Sequence, residues 1–449
     1  TDSRFPKNRS VEADTSHTAI DVDLNKCIHC KLCVQACRDI QGNDVIGMAM
    51  RGSESTIVFD MADPMGASSC VGCGECVQVC PTGALKSSAL DATSGTLDVD
   101  KTVDSVCPYC GVGCQVRFHV KDNKIVQVEG RDGPANHGRL CVKGRFGMDY
   151  VSHNHRLTVP LIRKDTAEKT EEITVDPENS LDQFRVATWD EALDAAADGF
   201  KSILEHKGAK GLAGFGSAKG SNEEAYLFQK LIRTGFHTNN VDHCTRLCHA
   251  SSVTALLEGI GSSAVTAPFI SCLDSDVIVV IGANPTINHP VAATFIKNAV
   301  QAGAELIVMD PRLSNTASMA DEWMPTYPGS ETAVFLAIAK IILDDGLYDR
   351  YYIENWVNWD EYLKNLHPED PVEFDQFIKR LSEEWAEYTP EFAAQEAQID
   401  PEQIVRVAQL VGKAGSKLSS HVWRGASIGN LGGWQVARTL HLLNVLTGS

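Results

Sequence analysis

The residues best suited to chemistry in this chain are its cysteines. Fifteen are present, and twelve of them fall into three groups that end at Cys141. Cys27, Cys30, Cys33 and Cys37 form C-x2-C-x2-C-x3-C. Cys70, Cys73, Cys76 and Cys80 repeat that spacing, followed by Pro81. Cys107, Cys110 and Cys114 start a different spacing, C-x2-C-x3-C, and Cys141 completes the set. An odd total with such short gaps does not make a disulfide framework. It makes metal ligands in a reducing compartment. Structural zinc favours paired C-x2-C units with a longer gap between them, whereas four thiolates on a short loop suit a four-iron cubane.

The first two groups carry the run of bacterial two-cluster ferredoxins, in which the fourth Cys of each run ligates the other cluster. One cluster is therefore expected on Cys27, Cys30, Cys33 and Cys80, and a second on Cys70, Cys73, Cys76 and Cys37. Thr82-Gly83-Ala84 reads as the turn closing the second loop. In the third group, Gly111 and Gly113 relieve crowding where the backbone wraps a bulky guest. Strands over 115–120 and 124–128, joined at Asp122-Asn123, make a hairpin that returns Cys141 to its partners. Three [4Fe–4S] clusters are expected in all.

The elements that position these groups come from the rest of the pattern. The chain has 449 residues, a 43% hydrophobic content sufficient for real cores, and a net charge of −19. That charge argues against nucleic acid, whose phosphates need clustered Lys and Arg. The polar start lacks the apolar stretch of a secretory signal, and no apolar run reaches the ~18 residues of a membrane helix. The longest apolar stretch, 333–343, reads as a core helix. The chain does not begin with Met, so upstream residues are expected.

From about residue 190, helical and strand patterns alternate, as in βαβ units. Residues 276–281 read as a buried parallel strand ending in Gly282-Ala-Asn284-Pro285. A helix over 291–301 follows, then a strand over 304–309 ending in Asp310-Pro-Arg312. Ligands of open α/β sheets bind outside the carboxyl ends of strands. Gly282 would admit a nucleotide close to the backbone, and Asp310 would accept from ribose or guanine. No G-x-G-x-x-G follows a strand here, so NAD is not expected on this chain.

Cys107-Pro-Tyr-Cys-Gly-Val-Gly-Cys114, with Leu140-Cys-Val-Lys143-Gly-Arg145, resembles the amino-terminal domain of molybdopterin oxidoreductases, and within them the catalytic subunit of cytoplasmic NAD-linked formate dehydrogenases. Gly282-Ala-Asn284-Pro, His289-Pro290, Asp310-Pro-Arg312 and the segment Asn240-Val-Asp-His-Cys244-Thr-Arg-Leu-Cys248-His249 extend it along nearly the whole chain. The resemblance implies a fold: a tail over 1–19, an α+β ferredoxin-like domain over 20–103, a small cluster domain over 104–160, and an α/β core over 161–449 whose carboxy-terminal part lies beyond this chain.

It also implies a chemistry. Cys248 would ligate molybdenum or tungsten in a bis-molybdopterin guanine dinucleotide centre, and His249 would move a proton. Lys143 would lie between cluster and pterin. Gly282, Asn284, Asp310 and Arg312 would contact the pterin nucleotide. Formate would be oxidised to CO2, reversibly, with electrons passing to a flavin- and NAD-binding iron–sulfur subunit. Cys244 and Cys272 read as structural. The rivals are a non-catalytic electron-transfer scaffold like the large iron–sulfur subunit of respiratory complex I, and a nitrate reductase, in which the pair looks like Cys-Met. Two segments depart from the family pattern. Glu331 follows Pro328-Gly-Ser where many relatives have Asp, and Trp423-Arg424-Gly425 looks more like a branch that includes tungsten enzymes.

Overall fold

The computed structural model describes residues 10–88, 98–167, 177–265, 267–427 and 432–449. It separates into two compact units. One comprises Thr1–Asp122, Val126–Phe146 and His249–Ser449; the other comprises Asn123–Ile125 and Gly147–Cys248.

The first unit opens with strand β1 (Ile20–Val22), helix α1 (Leu32–Gln35), the antiparallel pair β2 (Ile46–Ala49) and β3 (Thr56–Phe59), helix α2 (Glu75–Val79) and β4 (Leu85–Ser87), which pairs antiparallel with β1. Alternation along these short strands turns Ile20, Val22, Ile57, Phe59 and Leu85 inward, where they enclose Cys33, Cys37 and Cys76. Each such side chain contributes ~1.5–3 kcal/mol on burial, so the apolar core that stabilises this ferredoxin-like domain is also the wall of its thiol groups. Next come β5 (Lys101–Val106), β6 (Gln115–Lys121) and β7 (Lys124–Gly130) in one sheet, with β5 antiparallel to β6. The expected turn is present. Asp122 and Asn123 both take positive φ, 48° and 58°, as a tight two-residue hairpin requires. Helix α3 (Val142–Phe146) begins directly after Cys141.

The second unit holds the antiparallel pair β8 (Leu161–Arg163) and β9 (Phe184–Val186), helix α4 (Trp189–Lys207), and the parallel pair β10 (Gly214–Gly216) and β11 (Val241–His243) with helix α5 (Asn222–Lys230) between them. Thr188–Glu191 and Ser221–Glu224 form capping boxes that start α4 and α5. Its core is small, built on Leu212, Ile232 and Phe236.

The chain then re-enters the first unit with α6 (Ala250–Ile260), β12 (Val277–Ile281), α7 (Pro285–Asn288), α8 (Pro290–Gln301), β13 (Glu305–Met309), β14 (Glu322–Met324), α9 (Glu331–Asp344) and, after further helices, β15 (Leu418–Val422). The four strands form a parallel sheet in the order β14-β13-β12-β15. Every residue of β12 is buried, as a central parallel strand covered on both faces must be. The apolar stretch 333–343 lies within α9, whose Val334, Phe335, Ile338 and Ile342 pack into the main core. Among the described residues no helix is long and apolar enough to cross a membrane.

Candidate cluster sites and catalytic centre

Two cavities lie in the ferredoxin-like domain. Cys27, Cys30, Cys33 and Cys80 line the first, with Ile28, Lys31, Ile57 and Pro81 around them. Cys37, Cys70, Cys73 and Cys76 line the second, with Asn43, Val45 and Glu75. The thiols are thus brought together in the crossed sets that the spacing implies. Both cavities are lined mainly by apolar side chains and the four sulfurs. Among the described residues no three His, Cys, Asp or Glu groups are disposed to hold a single metal ion. Four sulfurs around an apolar space, not converging on one point, fit a cubane better than a tetrahedral zinc, whose sulfurs must all reach ~2.3 Å from one ion.

The two loops share one backbone course. His29 and Lys31 in the first take φ of 56° and 63°, and Gly72 and Gly74 in the second take 64° and 69°. This left-handed pairing lets backbone N–H groups turn toward sulfur. His29 N–H donates to Cys27 Sγ at 3.4 Å, Gly72 N–H to Cys70 Sγ at 3.4 Å, and Val45 N–H to Cys37 Sγ at 3.3 Å. Such bonds tune cluster potentials. Burial, reinforced by neighbouring thiols, pushes Cys33 up to about 11 and Cys73 up to about 12. Cys80 goes the other way. Burial raises it, but the backbone N–H groups of Leu85, Thr82 and Ala84 carry it below the usual thiol value. The expected turn after Pro81 therefore serves that sulfur directly.

The crossing can be checked. Cys37→Ala is expected to remove the spectroscopic signal of the cluster on Cys70, Cys73 and Cys76 and to spare that on Cys27, Cys30 and Cys33. Loss confined to the latter would show that the ligands are not exchanged.

Cys107, Cys110, Cys114 and Cys141 converge in the same way. Cys114 is pushed up to about 12 by burial and then by the charges of Cys107, Cys110 and Cys141, and Cys107 N–H donates to the Cys114 carbonyl at 2.8 Å. Helix α3, which follows this set, carries two cations. Arg145, buried, donates to the Cys73 carbonyl at 2.7 Å, to Gln78 Oε1 at 2.6 Å and to Glu75 Oε2 at 3.0 Å. Gly74 must be glycine for this contact, because a Cβ there would stand 2.2 Å from Arg145 Cδ. Lys143 lies within electrostatic reach of both Cys107 and His289. It is thus near both the third thiol set and the histidine group of the α/β core.

That group was not anticipated. His249, at the N-cap of α6, meets Trp423 edge-on at 4.6 Å. Trp423 meets His289 at 5.0 Å, and His289 meets His421 at 5.7 Å, with Phe269 against both of those histidines. His289 stands below its ordinary value through burial first, then through the charges of Lys143 and His249. Burial, then His289 and His249, depress His421 to about 4, and its Nε2 is buried without a hydrogen-bond partner among the described residues. An unfolded His421 takes a proton near pH 6.5, whereas the folded one refuses it until about pH 4. Stability should fall as pH drops through that window, by up to ~1.4 kcal/mol per pH unit. Denaturant unfolding at pH 7 and pH 5 should show a smaller loss for His421→Phe than for the parent; an equal loss would count against it.

Cys248 ends the second unit. It follows a short turn over Cys244–Leu247, is half-buried, and its N–H donates to the Thr245 carbonyl at 3.0 Å. Arg246 pairs with Asp242 at 3.0 Å in the same turn. Cys244 is exposed and its Sγ accepts from Ala218 N–H at 3.2 Å, while Cys272 is buried.

Gly282, Asn284, Asp310 and Arg312 gather at the carboxyl edge of the parallel sheet, after β12 and β13. The close approach at Gly282 (φ +54°) is made by this chain itself, since a Cβ there would stand 2.4 Å from Ala426 N. Asn284 Oδ1 already accepts from the Thr286 and Thr316 hydroxyls, both at 2.7 Å. Its amide hydrogens, rather than its oxygen, are left for a ligand. Asp310 Oδ1 accepts from Arg312 N–H at 2.8 Å, and its second oxygen and the exposed Arg312 suit a nucleotide. Glu331 is buried, raised by that burial, and accepts from Gly329 N–H at 2.9 Å. The Arg424 side chain lies outside the described structure.

Known proteins share this arrangement. Residues 156–428 match the molybdopterin oxidoreductase family, 100–153 its Fe4S4 domain, and 26–84 a 4Fe-4S dicluster domain. "Probable oxidoreductase YjgC" of Bacillus subtilis is 31% identical, over 98% of this chain and 45% of its own length. "Putative formate dehydrogenase SAR2393" of Staphylococcus aureus is 33% identical, over 77% of this chain and 37% of its own. The chain thus spans less than half the length of the curated relatives it matches. The solved structure of acetylene hydratase from Pelobacter acetylenicus superposes with a TM-score of 0.61 at 22% identity, covering 77% of this chain and 43% of that one, a likeness of fold. Ferredoxin-like cysteine loops, a third thiol set and a parallel sheet with its ligand edge thus occur here in one order along the chain, and by that order and the extent of the match the chain belongs to the molybdopterin oxidoreductase family.

Proposed function

We propose that this chain is the cluster-carrying and pterin-binding part of a formate dehydrogenase. The Cys248-His249 pair just before α6 carries the reading: a soft thiolate and a proton-accepting ring are consecutive along a chain whose other motifs serve electron transfer. The name of the Staphylococcus aureus relative supports it. When bound, a molybdenum or tungsten bis-molybdopterin guanine dinucleotide supplies two-electron oxidation chemistry, and [4Fe–4S] clusters supply one-electron carriage.

This chain's residues do the rest. Cys248 offers the metal a soft anionic ligand. His249 takes the proton that formate oxidation releases. Asp310, Arg312 and the Asn284 amide hold the nucleotide, and Lys143 places a positive charge near both the histidine group and Cys107. Contacts support an order for the clusters. Arg145 ties the helix after Cys141 to the loop of Cys73, so the second cavity adjoins the third thiol set. The first cavity, where Cys30 is exposed and Ile28 is 64% exposed, is the exit toward a flavin- and NAD-binding iron–sulfur subunit in the cytoplasm.

Elemental analysis together with dye reduction tests this reading. Full-length protein should contain ~12 iron atoms from three four-iron clusters with one Mo or W, and should reduce a dye with formate. Iron without Mo or W favours a scaffold, and nitrate-dependent oxidation of reduced dye without formate activity favours a nitrate reductase.

A further inference from the structure

Helix α8 (Pro290–Gln301) belongs to the pterin-binding core, yet one of its faces serves the ferredoxin-like domain. Phe295 is fully buried, and the Arg139 guanidinium lies 4.7 Å above its ring. Arg139 in turn donates to the Ile40 carbonyl at 3.1 Å. Lys297 stands two residues further along. Its stem runs against Gly42 (φ +62°), where a Cβ would meet Lys297 Cδ at 3.2 Å and Lys297 Cβ at 3.3 Å. Held there, its ammonium donates to Asn43 Oδ1 at 2.8 Å. Asn43 is a wall of the second cavity, with Cys37, Cys70, Cys73 and Cys76, and the ammonium is near enough to Cys73 and Cys37 to interact with their charge.

Other charges at this cavity are balanced or wet. Glu75 is paired with Arg145 at 3.0 Å, and Asp44 is exposed. Among the described residues the Lys297 hydrogen bond goes to a neutral amide rather than to a carboxylate. Among the described residues lining the first cavity the cation is Lys31, which is exposed, so water screens the charge. Reduction adds an electron to an already anionic cluster. A fixed positive charge in a poorly solvated wall favours the reduced form and raises the potential.

We propose that Lys297 sets the reduction potential of the cluster held by Cys37, Cys70, Cys73 and Cys76, holding it above that of the cluster on Cys27, Cys30, Cys33 and Cys80. This rests on the cluster reading given above. The core's own helix thereby makes the second cluster the electron sink beside the third.

The test is a potentiometric titration of the cluster-loaded full-length protein followed by electron paramagnetic resonance. The signal of the second cavity is the one that Cys70→Ala abolishes. Lys297→Gln and Lys297→Met should lower the midpoint of that signal by at least tenfold in the reduction equilibrium, 59 mV for one electron. The other signals should stay in place, and Lys297→Arg should keep the parent value. An unchanged midpoint in both neutral variants, an equal shift of every signal, or an Arg variant displaced as far as the Met variant overturns the proposal. Loss of that cluster's iron in both neutral variants makes Lys297 a structural tie and overturns it too. If Cys70→Ala abolishes no signal, the cluster reading itself fails; if it does and the midpoints hold, only the role of Lys297 fails.

Discussion

Replacing Cys248 by Ala is expected to abolish formate-dependent turnover and to lower Mo or W content, while leaving the iron content of the full-length enzyme unchanged. The thiolate is a soft anionic ligand for which an alkyl group is no substitute. The candidates in the same turn are engaged elsewhere. Cys244 is exposed at the other end of the turn, with its Sγ engaged by Ala218 N–H. His243 Nδ1 is bound to the Thr245 hydroxyl at 2.7 Å and accepts from the Thr245 N–H. Cys244→Ala is the control and should keep both metal and turnover. The iron clusters depend on other thiols, so their signals report that the variant is folded. A Cys248→Ala enzyme with full Mo or W and near-parental turnover would remove Cys248 from the metal centre and move the scaffold reading ahead.

What the sequence disclosed and what it hid divide along physical lines. Ligand chemistry constrains spacing, so the cysteine runs, their crossing and the turn after Pro81 were all legible. Continuous apolar runs marked β12 and β13, because a strand covered on both faces has no polar side to confuse the pattern. The remaining strands of that sheet were not read. Glu322–Met324 is three residues long, and Leu418–Val422 carries Ser419, Ser420 and His421 among its residues. Neither gives an apolar run.

The histidine group was out of reach for a different reason. It assembles from Phe269, His289 and the end of β15, and no local pattern links them. The same holds for Lys297, whose partner Asn43 lies 254 residues away. Gly282 shows a partial reading. Its need for glycine was visible, but the backbone that crowds it is Ala426, so the position serves packing whether or not a nucleotide lies near. Arg145 stood inside a recognised motif, yet only the folded chain ties it to Glu75 and Cys73.

Removing the ring of His249 should act on rate and spare the metal. His249→Ala is expected to lower turnover by ~10²–10⁴-fold, the usual contribution of a positioned acid–base group, with Mo or W content at the parental level. The structure makes this loss separable from misfolding. The helix that His249 heads does not use its side chain as a cap; its carbonyl accepts from Val253 N–H at 2.9 Å, a bond that Ala retains. The helix start is fastened elsewhere, by Ser251 Oγ donating to the Ser427 carbonyl at 2.5 Å and Ser252 Oγ to Ser427 Oγ at 3.3 Å. The ring itself is aimed by Ser252 Oγ at 3.3 Å from Nδ1 and by the edge-on face of Trp423. Under the proposed function, removing it therefore deletes a proton acceptor from a scaffold that otherwise stands. Added imidazole should restore part of the rate to His249→Ala and none to Cys248→Ala, because a diffusible base can carry a proton and cannot replace a tethered thiolate. Turnover of His249→Ala within ~10-fold of the parent, below the usual range for such a group, would assign the proton to another residue.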